Sequence, residues 1–99
     1  MLSSNEIIHF LRENKPYLRT HFHCIEIGLF GSFARNEQNE TSDIDLVVVF
    51  EANTPDLYDL ELELKDFLKK QFNRDVDICV KKWINPIFKP LVLKDAVYA

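Results

Sequence analysis

Asp43 and Asp45 stand at the head of the run Ile44-Asp45-Leu46-Val47-Val48-Val49-Phe50, and the rest of the chain reads as support for that stretch. The run is β-branched, apolar and of strand length, so it predicts a strand with two acids at its start. Residues two apart in an extended chain point to the same side, which sets both carboxylates on one face of a sheet. Like charges held side by side in a half-buried place repel, and stripping them of water is costly unless a cation sits between them. All-oxygen ligation suits a hard divalent ion, so the pair points to Mg2+ or Mn2+.

The residues just upstream supply a second half to the site. The chain has only two glycines, Gly28 and Gly31, and both fall at the exit of the apolar run Cys24 to Phe30. Ile25, Ile27 and Leu29 alternate in that run, which predicts a strand with those three on one face and Glu26 on the less buried one. After Gly31, Ser32 has the residue type of a helix N-cap, and Phe33-Ala34-Arg35 can form a first helical turn with free N–H groups. Such a terminus binds phosphate. A phosphate cradle followed about ten residues later by a metal-binding pair implies a metal–polyphosphate ligand. Arg35 has two readings: a cation that positions the phosphates, or an ion-pair partner for a nearby carboxylate such as Asp43. A guanidinium fork suits both.

Gly31-Ser32-x-Ala34-Arg35 followed by Ser42-Asp43-x-Asp45 resembles the signature of the polymerase-β-like nucleotidyltransferase superfamily, and the short chain resembles its minimal (MNT) branch. One departure is Asn36, where family members often have Gly; Asn tolerates left-handed backbone better than most residues. The resemblance implies an α+β fold, with a small mixed or antiparallel sheet of three to five strands and helices packed on one face. It also implies ATP as substrate, with Gly31, Ser32, Arg35 and Ser42 at the nucleotide and Asp43 and Asp45 on Mg2+ or Mn2+. In the family a third carboxylate from a neighbouring strand completes the metal site. Asp77 matches that position better than Asp75, with a role as metal ligand and general base.

Composition bounds the rest. Ninety-nine residues with 46% hydrophobic content and twelve aromatics fit one domain with one core. A net charge of −4 argues against a protein that holds nucleic acid through its own surface field. Cys24 and Cys79 lie in strand-like apolar surroundings and read as buried thiols. No run approaches a membrane span and Met1 to Ser4 lacks the features of a signal peptide, so the expectation is a cytoplasmic protein.

In chain order, Ser3 with Glu6 has capping-box spacing, and Ile7, Ile8, Phe10 and Leu11 form the stripe of a helix ending near Asn14. Pro16 opens a second helical piece carrying Tyr17, Leu18 and Phe22. His9, His21 and His23 fit no zinc spacing. Thr54-Pro55-Asp56 reads as the start of a helix that packs Leu57, Leu60, Leu64, Phe67 and Leu68 on the sheet and leaves Asp59, Glu63, Asp66 and Lys70 in solvent. Asn73-Arg74-Asp75 then turns into a strand over 76–80, with Val76, Ile78 and Val80 on one face and Asp75, Asp77 and Cys79 on the other. An acid inside such a strand is costly unless used, paired or wetted at a sheet edge. Asn85-Pro86 reads as another helix start, and Val97 to Ala99 as a short closing strand. Trp83 and Phe88 suit either packing or a partner surface.

The acceptor is narrowed by size. A chain this short has no room for a substrate domain, so an acceptor that brings its own surface is favoured. The resemblance implies a HEPN-type RNase toxin, bound as a hetero-oligomer and modified with AMP on a tyrosine. Two other classes stay open: a subunit acting on a small molecule such as an aminoglycoside, and a module that inhibits its partner by occlusion alone.

Overall fold

The computed structural model describes residues 2–99, and its sheet is built outward from the acidic strand. β2 (Ile44–Phe50) lies at the centre, antiparallel to β1 (Cys24–Phe30) and parallel to β3 (Val76–Val80), with β4 (Val97–Tyr98) antiparallel to the far side of β1. The spatial order is β3-β2-β1-β4, a mixed four-stranded sheet. A parallel pair needs a long crossover, and the helix between β2 and β3 supplies it.

Alternation along each strand divides the sheet into an apolar face and an acidic one. Ile44, Leu46 and Val48 of β2 join Ile27 and Leu29 of β1 and Val76 and Val80 of β3 in one continuous core. Three helices cover that face. Helix α1 (Ser4–Glu13) contributes Ile7, Ile8 and Leu11, helix α2 (Lys15–Phe22) contributes Leu18 and Phe22, and helix α4 (Leu57–Phe72) contributes Leu64 and Leu68. Each fully buried aliphatic side chain contributes about 1.5–3 kcal/mol, so this layer dominates the stability of the fold.

Local chemistry sets the helix ends. Ser3 caps α1 by accepting a hydrogen bond from the Glu6 amide at 3.2 Å, and Pro16 sits in the first turn of α2. Helix α4 departs from the expectation at Thr54. The Thr54 hydroxyl instead donates to the Glu51 carbonyl at 2.7 Å, and the helix begins at Leu57 after Asp56 takes a left-handed conformation. Thr54 therefore closes a turn after β2 rather than capping the helix.

Two further expectations are corrected. Ile25 is exposed, because a bulge between Cys24 and Glu26 shifts the register of β1 and turns the side chain out of the core. Asn85 caps only a turn, its side-chain oxygen accepting from the Ile87 amide at 3.0 Å, and no regular helix begins there. A 3-10 turn (Lys81–Trp83) leads into a bend, and a six-residue helix α5 (Lys89–Lys94) starts later with Pro90 in its first turn. Both cysteines are free thiols; burial pushes Cys24 up to about 12.

Candidate active site

The acidic face carries the motif residues. β1 ends at Phe30, directly opposite Asp45 of β2, and the chain then makes a single helical turn, α3 (Gly31–Ala34). Gly31 enters that turn at φ 73°, a conformation that side chains disfavour, and a Cβ built on it would collide with Oδ2 of Asp45. The glycine lets the turn and the carboxylate share one space. Ser32 is not the cap expected from its type: Phe30 occupies the cap position, and no side chain caps the turn. Ser32 lies within the turn, where its own amide is among the first N–H groups lacking an intrahelical acceptor.

Asn36 takes φ 56° just after this turn, so the residue that departs from the family pattern adopts the backbone a glycine would have supplied. The loop that follows is tied down at its far end. Arg74 donates from one guanidinium nitrogen to the carbonyls of Asn39 and Ser42, both at 3.0 Å, and lies over the ring of buried Phe33 at 5.3 Å. The Asp75 carbonyl accepts from the Ile44 amide at 2.9 Å. The Asn73–Asp75 turn thus ties down the segment that carries Ser42 and Asp43, through an arginine that pattern reading passes over. Its only sequence signal is its place between Asn73 and Asp75 at the entry to β3.

Across β2 and β3 the parallel register pairs Asp45 with Asp77 and Val47 with Cys79. Two acids opposite one another in a parallel pair project from the same face. Asp45 is half-buried, and its carboxyl is raised above the ordinary range by burial first and then by the charges of Asp77 and Asp43, with Arg35 opposing. Cys79 is raised likewise, by burial and then by Asp45, Asp77 and Glu61. The three acids of the motif therefore share one electrostatic neighbourhood.

The positions of the individual acids refine the sequence argument. Asp43 is exposed and lies one residue before β2 begins, rather than within the strand. Asp77 is on an edge strand with its side chain 63% exposed, and Lys65 of α4 approaches it at 3.9 Å. Water and that lysine relieve the cost expected of an acid in an apolar strand, so the carboxylate's significance rests on its register with Asp45. Asp75 faces Lys69 at 3.3 Å. Arg35 does not pair with Asp43; it binds Glu37 at 2.8 Å and approaches Asp95 at 3.8 Å. No group of three or more potential metal-ligating side chains closes up among the described residues. The donor set is nevertheless all carboxylate oxygen around a half-buried acid whose neighbours repel it, and that chemistry fits a hard divalent cation.

The histidines that form ion pairs do so away from these acids. His9 pairs with Glu13 along α1, and His23 with Glu51 beyond β2. No helix among the described residues is long and apolar enough to cross a membrane.

Comparison with known proteins bears on the fold and the family. Residues 6–98 match the model of the nucleotidyltransferase domain family. Protein adenylyltransferase MntA of Thermococcus cleftensis is 37% identical over 98 residues, covering 99% of this chain and 97% of that protein. A solved minimal nucleotidyltransferase superposes with a TM-score of 0.78 at 28% identity, over 97% of this chain and 95% of its own. A chain from the structure of a tri-AMPylated Shewanella oneidensis HEPN toxin in complex with MNT antitoxin matches with a TM-score of 0.59 at 27% identity, over 96% of this chain and 66% of that one. With the family's model spanning nearly its whole length, this chain belongs to the nucleotidyltransferase domain family.

Proposed function

We propose that this chain is a protein adenylyltransferase that moves AMP from ATP onto a hydroxyl of a HEPN-type RNase toxin and so acts as that toxin's antitoxin. The observation that carries this reading is the position of Asp45. It lies in register with Asp77 on one side and against the Gly31 turn on the other, so carboxylates and a helical turn meet at one place on the sheet. The relatives' adenylyltransferase and antitoxin names support the same reaction and the same kind of partner.

The reaction is in-line attack by the acceptor hydroxyl on the α-phosphate of ATP. A phosphorus–oxygen bond forms to the acceptor, the bond to the bridging oxygen breaks, and pyrophosphate leaves. Amides of Gly31 and Ser32, with the Ser32 hydroxyl, hold the outgoing phosphates. Arg35 and Ser42 flank the nucleotide, Arg35 adding a positive charge beside the developing negative one. Asp77 stands on the edge strand, reachable from solvent, where it accepts the proton of the incoming hydroxyl. Mg2+ or Mn2+ held by Asp43, Asp45 and Asp77 would neutralise charge on the triphosphate.

The test is label transfer to a purified HEPN protein from the same organism, with ATP labelled at either the α- or the γ-phosphate and Mg2+ present. Label from the α-position alone is expected on the HEPN protein. Label from the γ-position would mean kinase chemistry and overturn the reading; inhibition of the RNase with no label from either would mean occlusion.

A further inference from the structure

The segment between β3 and β4 is unlike the rest of the surface. Trp83, Ile87, Phe88 and Leu91 are all more than half exposed, Ile87 at 76%. Such side chains occur singly on most soluble proteins, but four within nine residues concentrate apolar exposure on one segment. Around them the sequence places Lys81, Lys82, Lys89 and Lys94 and no acid until Asp95. The last nineteen residues hold four of the chain's twelve cations and one of its sixteen acids, a charge of +3 against −7 for the first eighty. Among the described residues none of these four lysines forms an ion pair, whereas Lys65, Lys69 and Lys70 of α4 each face an aspartate. Lys81 alone has an internal partner, the Tyr98 ring at 5.4 Å.

The patch is also tied to the site at both ends. It begins where β3, the strand of Asp77, runs directly into the Lys81–Trp83 turn. It ends at Asp95, which approaches Arg35 beside the nucleotide turn at 3.8 Å. A protein seated on it therefore lies beside the acidic face.

We infer that the Lys81–Lys94 segment is the docking surface for the acceptor protein, and that the acceptor meets it with an apolar surface rimmed by carboxylates. The apolar side chains supply the buried centre of the contact and the unpaired lysines its charged rim, the usual anatomy of a specific interface. The inference rests on the proposed transfer to a partner protein, and it adds where that partner binds and what charge it presents.

The test uses the full chain and the same purified HEPN protein, with binding measured by calorimetry at low and high salt. Lys82→Glu combined with Lys89→Glu is expected to weaken binding at least tenfold at low salt, and Trp83→Ser combined with Leu91→Ser by a similar factor at any salt. Both variants should bind ATP with Mg2+ as the wild type does, which reports an intact fold. Tyr58→Ser and Lys70→Glu, an exposed aromatic and a lysine on α4, serve as controls and should change neither. Wild-type affinity from both double variants, or no complex with the wild type itself, would overturn the inference. Binding that depends on these residues without any AMP transfer would uphold the surface and reject the transferase reading. Transfer with patch variants that still bind normally would do the reverse.

Discussion

Gly31 and Asp45 occupy adjoining space so closely that a methyl group on the first would strike the carboxylate of the second. The turn follows β1 and the acid belongs to β2, and the β1–β2 register, which sets Phe30 opposite Asp45, brings them together. Gly31→Ala should therefore lose stability by at least roughly 1–2 kcal/mol from the left-handed backbone alone. It should lose ATP binding as well. Gly28→Ala is the comparison, since its Cβ would press on the Tyr98 ring at 3.0 Å, a side chain that can shift. Denaturant melts of both variants check this; equal stability of Gly31→Ala and the wild type would show that the turn does not need glycine.

Asp45 gives a pH dependence with a definite sign. Its carboxyl is raised in the fold by burial and by Asp77 and Asp43, so the folded state binds its proton more tightly than the unfolded one. The stabilisation that comes with the protonated form is complete below the unfolded value and is lost as pH rises through the folded one. Asp45→Asn should therefore melt slightly higher than the wild type at pH 7 in EDTA, by less than about 1 kcal/mol because water screens a half-exposed group. The difference should vanish on acidification below the ordinary carboxyl value of 3.8. A variant that melts well below the wild type at pH 7 would make Asp45 a structural acid.

Arg74 should act on the site without touching it. Arg74→Ala removes two hydrogen bonds from a charged donor to the Asn39 and Ser42 carbonyls and a contact with Phe33, so a loss of about 1–3 kcal/mol is expected. Transfer should fall more than ATP affinity, since the loop that presents Ser42 and Asp43 is loosened. Hydrogen exchange across residues 37–43 gives a direct readout, with faster exchange expected there than in β1. Unchanged protection would mean the loop holds itself.

Nucleotide binding should depend on divalent cation. Polyphosphate brought beside Asp43, Asp45 and Asp77 is repelled until a cation intervenes. Calorimetric titration with ATP in EDTA and in Mg2+ is expected to show weak binding in the first and at least tenfold tighter binding in the second. Equal affinities would remove the metal from the site.

Much of this was legible in the sequence because local rules and tertiary packing agree over most of the chain. The strands at 24–30, 44–50 and 76–80, the helices carrying Ile7 and Leu64, and the closing strand at Val97 all follow from hydrophobic period and turn chemistry. Failures came where a tertiary contact overrode a local preference. Thr54 found the Glu51 carbonyl instead of a helix amide, and Ile25 was turned out by a bulge that no composition marks. At the site, Gly31 and the Asp45–Asp77 pairing were visible as residue types, but their meeting depends on strand order and register. Arg35 found Glu37 and Asp95, the latter sixty residues away along the chain, and proximity of that kind leaves no trace in spacing.

AMP transfer at the Asp45–Asp77 pair is tested most directly by the intact mass of the HEPN protein after incubation with ATP, Mg2+ and this chain. Wild type and Asp75→Asn should each add mass in whole AMP steps, since Asp75 faces Lys69 rather than Asp45. Asp45→Asn should add none. Asp77→Asn should keep ATP affinity within about tenfold, roughly 1.4 kcal/mol, while transfer falls by on the order of 10² to 10⁴. AMP steps from Asp45→Asn, or a loss from Asp75→Asn equal to that from Asp77→Asn, would contradict the account.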